Sequence, residues 1–208
     1  MKTRVDIISI GTLAKNLIWS EQQPIRTQHA TCALIRTGKR VILVDPGLPS
    51  VILSARLQER AGLSVADVTD VFLTHISPST TRGLDAFDKA DVFASELELE
   101  SAPPASEDGP DLSAVKPAPD KLAPGVDLFP LYGFTPGSSG LLVIAAVHST
   151  LITGPAVASL DHFLAGQILP EAMDYKTARE ALAEVYEIAD IIVPGFDNTF
   201  INPRQFGG

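Results

Sequence analysis

The sequence contains few of the residues that would place it in several common protein classes. It has a single cysteine, Cys32, among 208 residues, so no disulfide can form within the chain. Cys32 lies in an apolar stretch, and we interpret it as a small buried hydrophobic residue. The longest apolar run, residues 141–147, is far shorter than the roughly 18 residues of a membrane-spanning helix, and it predicts a buried strand.

Basic residues are also scarce. The chain has 16 Lys and Arg against 25 Asp and Glu, which gives a formal net charge of −9. Because no stripe of basic residues is visible, we expect neither nucleic acid nor an anionic membrane surface as a partner. Arg4, Asp6 and Lys15 surround the first apolar segment, which therefore differs from the uninterrupted apolar core of a signal peptide. These features predict an acidic, soluble, cytoplasmic protein.

Apolar residues make up 45% of the chain and occur along its whole length, which favours a single compact domain, residues 1–208. Segment 101–124 is the exception, since it holds six prolines among Ser, Asp, Ala and Glu. Such a composition buries too little apolar surface to fold by itself, so we expect a long Pro-rich surface loop there. A lid and a flexible insertion without a role are both open interpretations of that loop.

Local patterns alternate between strands and helices, which is typical of an α/β fold. Clusters of β-branched and aliphatic residues predict strands at 5–10, 31–36, 41–44, 71–74, 91–94, 126–131, 141–147, 151–153 and 191–193. A helix is predicted over 50–61, ended by Gly62, with the apolar positions Val51, Ile52, Ala55 and Leu57. Asp174 predicts the start of a second amphipathic helix over 175–188.

Five short segments stand out within this pattern. Residues 40–47 are an apolar strand that ends in Asp-Pro-Gly, and residues 73–83 read Leu-Thr-His-Ile-Ser-Pro-Ser-Thr-Thr-Arg-Gly. Further on are Phe-Thr-Pro-Gly-Ser-Ser-Gly at 134–140, Leu-Ile-Thr-Gly-Pro-Ala-Val at 151–157 and Val-Pro-Gly-Phe-Asp at 193–197. Each resembles, in the right order, a motif of the metallo-β-lactamase superfamily. The zinc loop of that family reads Thr-His-x-His-x-Asp-His-x-Gly-Gly.

The resemblance implies the αββα four-layer sandwich of that superfamily, with a two-zinc site at one edge. His75 matches the first zinc ligand, and Asp45 matches the aspartate that supports the metal loop. The other six ligand positions are occupied by Ser77, Ser79, Thr80, Ser138, Pro155 and Phe196. Arg82 stands in place of the first glycine of the zinc loop.

These replacements bear directly on metal binding. Zinc needs three or four Cys, His or carboxylate ligands that converge on one point. Hydroxyl groups are poor ligands at neutral pH, and proline and phenylalanine offer no donor atom at all. We therefore expect no metal and no other cofactor, and the loss of zinc-dependent hydrolysis.

Three functions stay open for such a site. In the first, a polar pocket binds a small anion such as a carboxylate or a phosphate, and its lining residues are His75, Ser77, Ser79, Thr80, Arg82 and Ser138. In the second, Phe196 and Pro155 fill the cavity, and the protein acts through a partner or as a homodimer. In the third, the protein is a metal-independent hydrolase with Ser138 as the nucleophile, His75 as the base and Asp45 as the group that orients it.

A rebuilt metal site is a further alternative. Asp161 and His162 follow shortly after the fourth motif, in a segment predicted to be a loop. Together with His75 and Asp45 they would supply enough nitrogen and carboxylate donors for a metal, provided that the side chains converge.

Overall fold

The structure is a computed structural model that describes residues 3–102 and 111–206. Over these ranges the chain forms two six-stranded mixed sheets, and an apolar core with members from both sheets lies between them. Helices cover the outer faces, which confirms the four-layer α/β sandwich expected from the sequence. All nine predicted strands occur, with ends that differ from the prediction by at most a few residues.

The first sheet is built by the N-terminal half of the chain. Its order follows the sequence: β1 (Arg4–Ser9), β2 (Cys32–Thr37), β3 (Arg40–Val44), β4 (Asp70–Phe72), β5 (Asp91–Ala94) and β6 (Lys116–Pro117). The first three strands pair antiparallel, and β3 to β6 pair in parallel. The carboxyl ends of β3, β4 and β5 therefore lie at the same edge of the sheet.

The second sheet is built by the C-terminal half, and its strand order also follows the sequence. Its strands are β7 (Lys121–Ala123), β8 (Val126–Pro130), β9 (Ser139–Ile144), β10 (Ser149–Gly154), β11 (Ile191–Pro194) and β12 (Phe200–Ile201). Neighbours pair antiparallel except for β10 and β11, which are parallel.

Five α-helices connect or flank these strands in the described ranges: α1 (Ser50–Ala61), α2 (Pro78–Thr81), α3 (Glu96–Ser101), α4 (Leu160–Ala165) and α5 (Tyr175–Ile188). Short 3-10 turns occur at Val65–Asp67, Leu84–Phe87 and Pro203–Phe206. None of the helices in these ranges has both the length and the apolarity that crossing a membrane requires.

Alternation along β2 divides its side chains between two layers. Ile35 belongs to the core between the sheets, whereas Cys32 and Leu34 belong to the core under α1. Cys32 is fully buried there, which confirms its interpretation as a small hydrophobic residue.

The predicted bounds of α1 are confirmed, but the predicted apolar face is partly wrong. The helix ends at Gly62, whose φ of 65° lies in the left-handed region. Its buried residues are Leu53 and Leu57, which are four positions apart and therefore share one face. Val51 is 81% exposed. Helical spacing, and not the local density of apolar residues, decides which side chains reach the core.

The second predicted helix, α5, is confirmed together with its cap. The Asp174 carboxylate accepts a hydrogen bond of 3.0 Å from the backbone N–H of Thr177. Ala178, Leu182 and Val185 are buried on the inner face.

By contrast, the predicted strand at 141–147 is too long at its C-terminal end. Strand β9 ends at Ile144, because a tight turn to β10 follows it and leaves Val147 at the surface.

The described part of segment 101–124 differs from a continuous loop. The chain pairs first with β5 as β6 and then with β8 as β7, so it passes from the edge of one sheet to the edge of the other. Leu122 and Ala123 are buried in the core between the sheets. Proline is compatible with edge strands, which explains how a Pro-rich segment contains two of them. Residues 103–110 of the predicted loop lie outside the described residues.

Candidate functional site

The motif residues of the N-terminal half meet at the carboxyl ends of β3 and β4. Asp45 follows β3 directly, and Thr74 and His75 come two and three residues after β4. Since β3 and β4 are adjacent and parallel, their carboxyl ends bring these side chains together.

Asp45 is a buried carboxylate that fixes the start of the motif loop. Its Oδ1 accepts a hydrogen bond of 2.8 Å from the backbone N–H of Thr74, and its Oδ2 accepts one of 2.7 Å from Thr74 Oγ1. Its backbone φ is 53°, an uncommon value for a residue other than glycine, and these contacts help to hold it there. Burial raises the pKa of Asp45 to about 7, and the two hydrogen bonds from Thr74 oppose that rise.

The turn after β3 and the motif loop are in direct backbone contact. A side chain at Gly47 would place its Cβ 1.8 Å from the carbonyl oxygen of Ser79. At Gly83 a Cβ would lie 2.2 Å from the carbonyl oxygen of Leu48. Both glycines are therefore required by close approach, and the position of the motif loop relative to Asp45 is fixed.

His75 lies at the centre of the site and is buried, with 2% of its surface exposed. Its Nδ1 is 3.2 Å from Thr74 Oγ1, and its Nε2 is 3.0 Å from Ser77 Oγ. The imidazole also meets the ring of Phe134 edge to face, with the centroids 5.2 Å apart. Burial lowers the pKa of His75 to about 4, so the ring is neutral at pH 7.

Four of the six predicted pocket residues line one pocket of about 250 Å³, namely His75, Ser77, Ser79 and Arg82. The hydroxyl oxygens of Ser77 and Ser79 are 2.7 Å apart. Gln28, Pro78 and Phe134 complete the lining. Arg82 is the charged member of this set, and its exposed guanidinium forms no ion pair within the described ranges.

The other two predicted pocket residues, Thr80 and Ser138, are turned into the protein. Thr80 is fully buried, and its hydroxyl donates to the carbonyl oxygen of His75 at 2.8 Å. Ser138 Oγ lies 2.7 Å from the carbonyl oxygen of Leu131 and 3.2 Å from that of Thr135. Neither of these two predicted residues belongs to the lining of this pocket.

No hydrogen bond joins the predicted pair of Ser138 and His75 in the described part of the chain. Ser138 Oγ is hydrogen-bonded to backbone carbonyl oxygens, and both ring nitrogens of His75 are directed at other hydroxyls. The serine beside the histidine is Ser77. Sequence order did not reveal this, because Ser77 and Ser138 both stand at motif positions that the family fills with histidine.

Two motif positions that follow strands of the second sheet, Pro155 and Phe196, hold buried apolar side chains. Phe196 is 5% exposed and belongs to an apolar cluster with Leu13, Ala158 and Leu169. Pro155 is buried as well. Both side chains are buried, as filling of this side of the site by Phe196 and Pro155 would require.

The rebuilt metal site does not form. Asp161 Oδ2 accepts a hydrogen bond of 2.7 Å from the indole N–H of Trp19, and His162 Nδ1 is 2.7 Å from Ser159 Oγ. His162 lies in α4 and not in the predicted loop, because Ser159 caps that helix and accepts a hydrogen bond from the His162 backbone N–H.

The donor set therefore does not fit the zinc ions that the resemblance implies. Within residues 3–102 and 111–206, no three or more His, Cys, Asp or Glu side chains are grouped so that they could hold a metal ion. The neighbours of His75 are the hydroxyls of Thr74 and Ser77, which are poor ligands for a divalent metal.

Sequence reasoning missed Glu98, a buried carboxylate that joins two motif loops. Its Oε1 accepts a hydrogen bond of 2.7 Å from the Ile76 backbone N–H, and its Oε2 accepts one of 2.5 Å from Thr135 Oγ1. Nothing in the run Glu-Leu-Glu-Leu-Glu separates Glu98 from the glutamates on either side of it. Its role depends on which side of the short helix α3 faces the loops.

Phe134 and Gln28 were also missed as lining residues. Both belong to the wall of the pocket and to a second cavity of about 480 Å³, which Leu13, Leu17 and His162 also line. Phe134 directly precedes the third motif, and this position was the available signal for it.

Comparison with known proteins bears on the family and the fold. The model of the metallo-beta-lactamase superfamily matches residues 26–195. A candidate metallo-beta-lactamase from Thermotoga maritima has a TM-score of 0.69 at 17% identity, over 97% of this chain and 100% of the other. No match was found among curated proteins.

Two further similar structures each hold an N-acyl-L-homoserine. AiiA of B. thuringiensis, in a variant with N-decanoyl-L-homoserine bound at its active site, has a TM-score of 0.67 at 19% identity, over 90% of this chain and 88% of the other. AidC, a dizinc quorum-quenching lactonase, has a TM-score of 0.64 at 18% identity, over 78% of this chain and 70% of the other. At these identities the likeness concerns the fold. Together with the family model, which covers most of the sequence, it shows that the chain belongs to the metallo-beta-lactamase superfamily.

Proposed function

We propose that the pocket beside His75 binds a small anion, such as a carboxylate or a phosphate, without a metal ion. The observation that carries this proposal is the composition of the pocket wall. Arg82 supplies a positive charge, Ser77, Ser79 and Gln28 supply neutral polar groups, and no carboxylate is among the lining residues. In a chain of net charge −9, a pocket with this lining is locally favourable for an anion.

The state of the Arg82 guanidinium supports the same ligand class. It forms no ion pair with a described residue, so its fork of N–H groups is available for the two oxygens of a carboxylate or phosphate. Hydrogen bonds that involve a charged partner contribute about 1.5–3 kcal/mol, and the lower end applies here because Arg82 is exposed.

The arrangement around His75 supports binding without zinc. The imidazole is neutral and hydrogen-bonded on both nitrogens, and hydroxyls occupy the surrounding motif positions. The molecule bound at the active site of the B. thuringiensis relative, N-decanoyl-L-homoserine, is a carboxylic acid, which makes a small acid a reasonable first probe. A homodimer and a protein partner stay predictions from the sequence.

Titration calorimetry with benzoate and with inorganic phosphate tests the proposal. Arg82→Ala should weaken binding about tenfold, because it removes the charge-assisted hydrogen bonds. The matched control is Arg179→Ala, which removes the same charge from the exposed face of α5 and should change the affinity by less than about twofold. Equal affinities of the wild type and Arg82→Ala, or no binding of either anion at millimolar concentration, would contradict the proposal.

A further inference from the structure

A chain of hydrogen bonds runs from buried Asp45 to the pocket. Thr74 Oγ1 lies between the Asp45 carboxylate, at 2.7 Å, and His75 Nδ1, at 3.2 Å. The Thr74 hydroxyl donates to Asp45 Oδ2, so its single proton is directed at Asp45. Thr74 Oγ1 then accepts from His75, which places the ring proton on Nδ1.

This tautomer leaves the lone pair of Nε2 directed at Ser77. Ser77 Oγ is 3.0 Å from Nε2, within the range of an O–H···N hydrogen bond, so the Ser77 hydroxyl donates to the imidazole. Ser79 Oγ, at 2.7 Å, donates in turn to Ser77 Oγ. A hydroxyl that donates to a neutral imidazole, whose other nitrogen is held by a further group, has the geometry of a nucleophile with its general base.

We propose that Ser77 is a nucleophile, that His75 is its general base, and that the pocket hydrolyses esters whose acyl part carries a carboxylate. The inference rests on the proposed function in one respect, since Arg82 holds the carboxylate of the substrate. The reacting hydroxyl and the guanidinium line the same 250 Å³ pocket, so a short acyl chain can reach both.

The steps conserve protons and atoms. The Ser77 O–H proton passes to His75 Nε2 as Oγ bonds to the ester carbonyl carbon. The carbon–oxygen bond to the alcohol then breaks, and the leaving alkoxide takes the proton from Nε2. A water molecule repeats the sequence on the acyl-serine, which releases the acyl group as a carboxylic acid and restores the Ser77 hydroxyl.

Asp45 and Thr74 are positioning residues in this scheme, because they act through the orientation of His75. The low pKa of His75 makes it a weak base, so the reaction favours esters with a good leaving group. A 4-nitrophenyl ester meets this requirement and reports its own cleavage by colour.

The experiment uses 4-nitrophenyl hydrogen adipate, with 4-nitrophenyl butyrate as the uncharged comparison. The wild type should release nitrophenolate and carry an acyl group on Ser77, as located by peptide mass spectrometry. Ser77→Ala should lower the rate roughly 100-fold. Ser113→Ala, which removes an exposed hydroxyl outside the pocket, is the matched control and should leave the rate unchanged.

A second pair of variants separates positioning from structure. Thr74→Val removes the hydroxyl that links His75 to Asp45, and it should lower kcat roughly tenfold with little change in KM. Thr74→Ser keeps the hydroxyl and should restore most of kcat. If both variants lose activity equally, the link through Thr74 is not what orients His75.

The outcomes distinguish the inference from the proposed function. An acyl group on Ser138, or unchanged turnover in Ser77→Ala, overturns the nucleophile assignment. Arg82-dependent binding of benzoate without acylation of Ser77 overturns the hydrolase and leaves anion binding intact. Acylation of Ser77 that is equally fast with butyrate and adipate overturns the role of Arg82 and leaves the nucleophile intact.

Discussion

The two sheets contribute loops to the same motif site, but these loops are built in opposite ways. The loop after β4 is polar, is held by Asp45, and opens into a pocket through Ser77, Ser79 and Arg82. The motif positions of the second sheet are closed, since Ser138 is bonded to backbone carbonyl oxygens and Phe196 lies in an apolar cluster. Substitutions within one ligand set therefore have separate physical consequences. Some leave a binding surface, and others leave a packed core.

The loop after β4 and the strand end that holds it contain two buried titratable groups, Asp45 and His75, whose pKa values shift in opposite directions. The raised pKa of Asp45 means that its contribution to stability is present below pH 3.8 and is lost as the pH rises through about 7. The lowered pKa of His75 means that its contribution is lost as the pH falls from 6.5 to about 4. Between pH 4 and 6.5 the two effects oppose each other.

Asp45→Asn removes only the first of these effects. The free energy of unfolding of this variant, relative to the wild type, should rise by about 4 kcal/mol between pH 4 and pH 8, since one pKa unit corresponds to about 1.4 kcal/mol. Urea unfolding across this pH range measures the difference. Parallel pH curves for the two proteins would show that Asp45 does not keep its proton in the folded state.

At the motif positions of the second sheet, stability should depend on apolar packing. Phe196→Ala should lower the free energy of unfolding by about 3 kcal/mol, because it leaves a cavity beside Leu13 and Leu169. Tyr175→Ala, at a 52% exposed aromatic residue, is the control and should change stability by less than about 0.5 kcal/mol. A loss below about 1 kcal/mol for Phe196→Ala would mean that this side is not a packed core.

Substitution of Ser138 tests whether this motif residue of the second sheet contributes to stability or to anion binding. Ser138→Ala removes the donor to the carbonyl oxygens of Leu131 and Thr135, and it should cost about 1 kcal/mol of stability. Benzoate affinity should stay the same, because Ser138 does not line the pocket. A large loss of affinity with no loss of stability would show that Ser138 contributes to anion binding. The two sheets would then not differ in the way described.

Sequence reasoning found the fold because strand patterns and motif order agree over most of the chain. It placed Asp45 and His75 together correctly, since parallel neighbouring strands bring their carboxyl ends to one edge. It failed for Ser138, because the direction of a hydroxyl in a tight turn depends on which carbonyl oxygens that turn exposes. It failed for β6 and β7 because their pairing partners, and not their own composition, make them strands.

The positions of His162 and Glu98 could not be predicted either, because they depend on contacts that the local sequence pattern does not reveal. A serine cap places His162 in a short helix, and the sequence around it gave no periodicity long enough to reveal that helix. Glu98 is one of several glutamates in α3, and only the folded chain shows which of them accepts hydrogen bonds from the motif loops.

Elemental analysis of the purified protein, expressed with zinc in the medium and isolated without chelator, tests most directly whether this site works without a metal. Hydroxyl neighbours around a single buried histidine predict well under one metal ion per chain. One or more zinc or iron ions per chain would show that the folded protein holds a metal, through a ligand set that the described residues do not bring together.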